Sequence, residues 1–103
     1  MIAMTVLYPA KPDYQFDFDY YLAKHIAQVK KLWGPMGLGK TTVLAGQAGP
    51  DGKPPPYVAM AVLEFESLEA FQKAAAAHGR EVFGDVANFT NIQPVSQFNQ
   101  IKS

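Results

Sequence analysis

The sequence predicts an α+β fold in which a four-stranded antiparallel sheet carries two helices on one face. Short apolar runs typical of strands alternate with longer stretches of helical apolar spacing, in the order β-α-β-β-α-β. The chain has 103 residues, of which 49% are hydrophobic and 17% are charged. This composition suffices for one modest core, so we expect a single domain over residues 1–103.

The first strand and the first helix follow from local pattern. Ile2–Tyr8 is rich in strand-forming residues and precedes a turn-prone segment. Next, apolar residues fall within one helical arc of about 140°. This arc contains Phe18, Tyr21, Leu22, His25, Ile26, Val29, Leu32 and Trp33. We expect Asp17 or Asp19 to cap the helix at its start and Gly34-Pro35 to end it.

The next two elements read as a hairpin with a long loop. Thr41–Gln47 begins with β-branched residues and is the predicted second strand. The loop at 49–56 is rich in glycine and proline. Tyr57–Phe65 is the strongest strand signal in the chain, and it is apolar at both alternating sets of positions. A strand of this kind is expected to be buried on both sides.

The second helix and the last strand complete the order. Ser67 is the expected cap of a helix in which Gly79 introduces a bend or a break. Its predicted inner face consists of Leu68, Phe71, Ala75, His78 and Val82. A polar turn at Asn88–Asn91 leads to a final element over Ile92–Ile101. Pro94 confines that element to a sheet edge or to a late start.

This order is that of the ferredoxin-like fold, in which strands one and three are central. Because both helices cover the same face, the other face of the sheet would expose a large apolar patch. A second copy of the chain is the simplest cover. We therefore expect a homodimer in which two sheets meet as an α+β barrel.

Charge and composition exclude several function classes. Nine basic residues balance nine acidic ones and are scattered, so neither nucleic acid nor an anionic membrane is an expected partner. The absence of cysteine removes disulfides, thiolate catalysis and cysteine-ligated metals. The first residues resemble neither a signal peptide nor a membrane span. We expect a soluble, cytoplasmic protein.

Gly34–Thr41 fits the phosphate-loop pattern G-x-x-x-x-G-K-[ST] letter for letter. A phosphate loop requires a strand before it and a helix after it. Here the predicted order is the reverse. The segment is therefore interpreted as a glycine-rich helix exit, and no nucleotide is expected.

The chain has two histidines, His25 and His78, one on each predicted helix. No spacing typical of a metal site is present, so no metal is expected. His25 lies on the apolar arc, where it serves either as a general acid or base or as a buried residue satisfied by a carbonyl or tyrosine hydroxyl. His78 lies near a helix end, where an interaction with the helix dipole is the alternative to ligand binding.

Tyrosines at strand ends are candidates for a ligand pocket. Tyr8 ends strand one and Tyr57 opens strand three, so their rings can line a cavity and their hydroxyl groups can orient a ligand. A plain core position is the alternative for each. There is no Ser/His/Asp elbow and no dinucleotide fingerprint, so we expect no cofactor.

A set of aromatic, polar and proline residues extends from the first strand to the last. It consists of Tyr8-Pro9, Phe16-Asp17, Tyr20-Tyr21, Lys24-His25, Tyr57, Phe65, Ser67, Asn88-Phe89-Thr90 and Pro94-Val95. This set resembles the EthD family, small bacterial proteins named for ethyl tert-butyl ether degradation. The resemblance runs nearly end to end. One departure is Ala27, where many members have proline.

The resemblance implies a dimeric α+β barrel with a pocket between sheet and helices. Members are often labelled reductase or oxidoreductase. Relatives by fold include cofactor-free and haem-degrading monooxygenases, isomerases and dehydratases. His25 carries over, with Tyr20, Tyr21 and Lys24 beside it, and of these only His25 and Tyr21 should face inward.

The leading hypothesis is an enzyme, of oxidoreductase or related type, that acts on a mostly apolar organic molecule. The candidate catalytic residues are His25 and Tyr21, and the candidate substrate-binding residues are Tyr8, Tyr57, His78 and Phe89. One alternative is a non-catalytic carrier or accessory protein of a degradation pathway. Another is a haem-binding monooxygenase with a histidine as the axial ligand.

Overall fold

The computed structural model describes residues 1–103 and contains one four-stranded antiparallel sheet. The strands are β1 (Ile2–Pro9), β2 (Leu38–Ala45), β3 (Tyr57–Phe65) and β4 (Val95–Gln100). Their order in the sheet is β2-β3-β1-β4, with every neighbouring pair antiparallel. Strands one and three are central, so the predicted ferredoxin-like topology is confirmed.

The helices lie between the strands in the predicted order. The first helix is made of α1 (Phe18–Tyr20), one π-helical turn (Tyr21–Ile26) and α2 (Ala27–Trp33). The second is α3 (Leu68–Gly84), and short 3-10 turns follow at Gly34–Met36 and Val86–Asn88. Asp17 caps α1 by accepting a hydrogen bond from the Tyr20 amide at 3.0 Å. None of the helices has the length and apolarity that crossing a membrane requires.

Two predictions about the elements were wrong. Strand β2 begins at Leu38, because Gly37 adopts a φ of 105° and turns the chain out of the preceding 3-10 turn. Helix α3 continues through Gly79 without a break. Strand β4 lies at the sheet edge and begins only at Val95, as Pro94 predicts, because the proline nitrogen cannot donate to the ladder.

The segment that matches the phosphate-loop pattern is a helix exit, as predicted. Gly34–Met36 form a 3-10 turn, and Lys40 and Thr41 lie within β2. A helix therefore precedes the segment and a strand follows it. No helix N-terminus points at the segment from its C-terminal side, as phosphate binding by this motif requires.

The core between sheet and helices consists of two clusters. In the first, Trp33 is 1% exposed and its Nε1 donates a hydrogen bond to the Ala74 carbonyl oxygen at 2.9 Å. The Trp33 ring meets the rings of Phe65 and Phe71 edge-on, each with centroids 5.8 Å apart. The second cluster lies at the other end of the sheet and contains Tyr8, Tyr21, Ile26, Val58, Ala59, Phe89 and Ile92. Both helices are thereby fixed to the same face.

The opposite face of the sheet is only partly covered. Along β3 the inward residues Ala59, Ala61, Leu63 and Phe65 are at most 3% exposed. Met60 and Val62 point the other way and are half-buried. Met60 pairs with Leu44 of β2, which is 47% exposed. Burial of β3 on both sides therefore requires something outside this chain.

Replacing Gly79 by alanine should stabilise the protein. Gly79 is buried in α3, and an added Cβ would lie at ordinary contact distance, 3.4 Å from Phe83 and 3.7 Å from Ala75. Alanine restricts the unfolded chain more than glycine does, so Gly79→Ala should raise the free energy of unfolding by about 0.5–1 kcal/mol. Urea denaturation measures the change.

Gly46→Ala is the matched control for this prediction. A Cβ at Gly46 would clash with the Tyr57 carbonyl oxygen and with Pro55, so the same substitution should lower the free energy of unfolding there. If Gly79→Ala were as destabilising as Gly46→Ala, the packing described around α3 would be incorrect.

Candidate functional site

His25 lies on the π-helical turn of the first helix. This wider turn places the rings of Tyr21 and His25 almost parallel, at 16°, with centroids 5.6 Å apart. The two residues are 1% and 5% exposed, which confirms that both face inward. Leu22 was expected on the same arc but is 51% exposed, because the π turn departs from the regular helical step. π turns occur frequently at functional sites.

Asp85 is the hydrogen-bond partner of His25. It follows α3 directly, and its Oδ2 lies 2.9 Å from His25 Nδ1. Its other oxygen, Oδ1, accepts hydrogen bonds from the Tyr20 hydroxyl at 2.7 Å and from Asn88 Nδ2 at 2.9 Å. Burial raises the pKa of the Asp85 carboxyl, but the hydrogen bonds from Asn88, Tyr20 and His25 lower it by more. Asp85 is therefore ionised at neutral pH.

The charge on Asp85 fixes which nitrogen of His25 carries the proton. An ionised carboxylate only accepts hydrogen bonds, so His25 Nδ1 is the donor and neutral His25 keeps its lone pair on Nε2. Nε2 has no hydrogen-bond partner in the chain. Thr41 Oγ1 is the one fully enclosed side-chain polar atom without a partner, so Nε2 must have accessible surface. A basic nitrogen thus faces open space.

His25 also lines a small apolar cavity between the inner face of the sheet and the two helices. Its volume is about 50 Å³, the space of about two water molecules at their liquid volume. Twelve of its fifteen lining residues are hydrophobic. The lining consists of Met4, Val6, Tyr8, Tyr21, His25, Ile26, Val29, Trp33, Ala61, Leu63, Val82, Phe83, Val86, Pro94 and Ser96.

Two tyrosines bring hydroxyl groups to the same cavity. Burial raises the pKa of Tyr21 to about 12, and an interaction with the Tyr8 hydroxyl partly offsets this rise. Burial also raises the pKa of Tyr8, and Tyr21 raises it further. Both hydroxyl groups therefore stay protonated at neutral pH and can donate hydrogen bonds to a ligand.

The structure brings together some of the predicted site residues. His25, Tyr21 and Tyr8 line the cavity, and the ring of Phe89 packs on His25 with centroids 4.8 Å apart. Phe89 therefore packs against His25 but does not itself line the cavity.

Tyr57 and His78 lie away from the cavity. Tyr57 is half-buried at the start of β3, opposite Pro9. His78 lies on α3 with its side chain 33% exposed, and its Nδ1 is 3.0 Å from Glu81 Oε2. The two histidines therefore do not share a pocket. The structure contains no group of three or more His, Cys, Asp or Glu residues placed to hold a metal ion.

Sequence reasoning missed Asp85 and misplaced Tyr20. Asp85 is 60 residues from His25, so no local pattern links them. The one available signal was an acidic residue at the C-terminal end of a helix, where the helix dipole disfavours negative charge unless other groups compensate. Tyr20 was expected to face away, but it is half-buried and binds Asp85, which raises the pKa of its hydroxyl.

Comparison with known proteins agrees with this fold. The family model for the EthD domain matches residues 12–93. The chain belongs to the EthD family. An EthD-like protein from Ralstonia eutropha JMP134 is 38% identical, with 99% of this chain and 92% of that chain covered and a TM-score of 0.92. No curated protein matches the sequence.

More distant structures share the fold of this EthD protein. An antibiotic biosynthesis monooxygenase is 13% identical over 100% of both chains, with a TM-score of 0.64. A dimeric ferredoxin-like protein from an uncultured marine organism is 11% identical, covering 100% of this chain and 96% of that chain, with a TM-score of 0.56. At these identities the likeness concerns the fold alone.

Asp85→Asn should change the tautomer of His25. The wild-type carboxylate holds the proton of neutral His25 on Nδ1, whereas a neutral amide can either accept or donate. Nitrogen-15 NMR of the imidazole rings should show His25 protonated on Nδ1 in the wild type and a mixture of tautomers in the variant.

His78 is an internal reference for this experiment. Its signals should be unchanged by Asp85→Asn and should respond to Glu81→Gln, since Glu81 is its own partner. The assignment of the proton to Nδ1 would be contradicted if wild-type His25 were protonated on Nε2. It would also be contradicted if the nitrogen-15 signals of His25 were the same in Asp85→Asn as in the wild type.

Proposed function

We propose that this EthD protein binds a small, mostly apolar organic molecule in the cavity and moves a proton with His25 Nε2 as acid or base. The observation that supports the proposal is the pairing of His25 with ionised Asp85 beside an otherwise apolar cavity. A buried histidine with one nitrogen anchored and the other free is suited to general acid–base catalysis.

The lining of the cavity defines the ligand in general terms. With twelve hydrophobic residues among fifteen, the wall favours an apolar body. The few polar groups, among them Tyr8, Tyr21 and His25, favour one weakly acidic O–H or C–H group on that body. A permanently charged ligand would lose its hydration without gaining an ion-pair partner in the cavity wall.

The chemistry of the proposed step is a single proton transfer. His25 Nε2 takes the proton, and the bonding electrons stay on the ligand as an anion. Asp85 stabilises the imidazolium that results, and the hydroxyl groups of Tyr21 and Tyr8 can donate to the new negative charge. An electron-rich anion of this kind is the starting point of cofactor-independent oxygenation. An oxidoreductase is therefore the enzyme class that we propose.

Two other functions use the same cavity. A carrier or accessory protein would bind the same apolar molecule without turnover, a role that the small, apolar cavity also supports. A haem-binding monooxygenase would use His25 Nε2 as the axial ligand. The cavity volume of about 50 Å³ is too small for a porphyrin, so the wall would have to open widely.

We further propose that a second copy of the chain covers the outer face of the sheet. Leu44 is 47% exposed there and Val95 52%, beside half-buried Leu7, Met60 and Val62. The hydrophobic effect favours covering such a patch, and a two-fold axis lets the same patch serve both copies. We also propose, as the sequence predicts, that the protein is cytoplasmic.

His25→Gln should abolish turnover but keep ligand binding. Glutamine retains polarity and much of the side-chain volume but cannot accept a proton. The rate with a candidate substrate should fall by about 100-fold or more, the range for loss of a general base, while calorimetry still detects binding. His78→Gln, which alters the histidine away from the cavity, should leave the rate unchanged. Equal rates for both variants and the wild type would favour the carrier.

Light scattering should give about twice the chain mass of 11.3 kDa. Met60→Asp places a charge on the outer sheet face and should produce the monomer. Gln72→Asp makes the same change on the exposed side of α3 and should leave the dimer intact. A wild-type monomer at micromolar concentration would contradict the proposed dimer.

A further inference from the structure

Phe83 stands where the cavity meets the protein surface. Four residues, Phe83, Val86, Pro94 and Ser96, line both the cavity and a surface depression beside it. The depression has a volume of about 690 Å³, against about 50 Å³ for the cavity. These shared residues form the mouth through which a ligand would pass from one to the other.

We propose that Phe83 limits the size of the ligand that this site accepts, an inference that rests on the proposed binding function. Among the cavity-lining residues, Phe83 is the one large hydrophobic side chain that is exposed by half, at 50%. The rest of the wall is held more firmly. Met4, Trp33 and Val82 are at most 4% exposed.

The Phe83 ring forms one aromatic pair and is half exposed. Its ring meets Trp33 edge-on at a centroid distance of 6.0 Å, and its other side faces solvent. Because about half of the Phe83 side chain is buried at this position, displacing the ring from the mouth exposes apolar surface, and this cost offsets the gain from further methylenes of a long ligand. A short ligand fits beneath the ring, whereas a longer one reaches the mouth and has to displace Phe83.

Gly79 lies directly below the ring. Side chains on a helix lean toward its N-terminus, so Phe83 lies over the residue four positions earlier. Neither the backbone nor the observed ring position requires glycine at 79, because a Cβ would lie 3.4 Å from the ring. Glycine is less favourable than alanine inside a helix. A methyl group at position 79 would contact the ring, so Gly79→Ala is expected to hinder its movement.

A series of linear 1-alkanols tests the size limit. Each has one hydroxyl group on an apolar chain, and the chain's single tryptophan, Trp33, lines the cavity and reports binding by fluorescence. In the wild type, affinity should rise with length and then stop rising. In Phe83→Ala and Phe83→Leu it should continue to rise by about fourfold per added methylene. Phe83→Trp, which adds a second tryptophan and is therefore followed by calorimetry, should lower the limit.

Phe98→Ala is the matched control. Phe98 is a second exposed phenylalanine, 45% accessible, whose ring packs on Phe71 and does not line the cavity. Its replacement should leave the wild-type limit unchanged. Gly79→Ala should keep the affinities but slow the association of the longest alkanols several-fold in stopped-flow measurements.

The outcomes separate the two proposals. Saturable binding with the same limit in the wild type and in Phe83→Ala overturns the role of Phe83 and leaves the binding function intact. A limit extended equally by Phe98→Ala also overturns that role. No saturable binding of any alkanol to the wild type or to Phe83→Ala overturns the binding function and the size limit together.

Discussion

The packing of Trp33 is the interaction on which the rest of the structure depends. Its ring is 1% exposed between the two helices and the sheet, and its indole nitrogen donates a hydrogen bond to the Ala74 carbonyl of α3. That one side chain joins the end of the first helix to the middle of the second, over the central strands. An indole buried with its polar atom satisfied contributes large apolar burial without a desolvation penalty. Both helices are therefore held on one face of the sheet.

The second aromatic cluster holds the other end of the same layer. Tyr8, Tyr21 and Phe89 meet edge-on or tilted, with centroid distances of 4.9 to 5.9 Å. Between this cluster and the one around Trp33 the side chains do not close the space completely. The cavity is that remaining space, lined by members of both clusters. His25 is the only basic side chain in the cavity lining, and its Nδ1 forms a hydrogen bond with Asp85.

Departures from regular structure concentrate around this cavity. The π turn carries His25, an acidic residue stands at the C-terminal end of α3, and Phe83 is half-exposed above a buried glycine. Each of these is locally unfavourable. Sites where local preference yields to the arrangement of the whole molecule are expected to be functional. The surrounding strands and caps, by contrast, follow their local preferences closely.

The sequence by itself determined the element order, the central strands, an acidic helix cap at Asp17 or Asp19, the glycine-rich helix exit and the inward direction of His25. Each depends on residues near one another in the chain, through apolar period, capping or proline and glycine geometry. It could not determine the partner of His25, the π turn or the separation of Tyr57 and His78 from the cavity. Those features depend on contacts between residues far apart in sequence. Only the packing of α3 against the first helix decided which acidic residue meets the histidine.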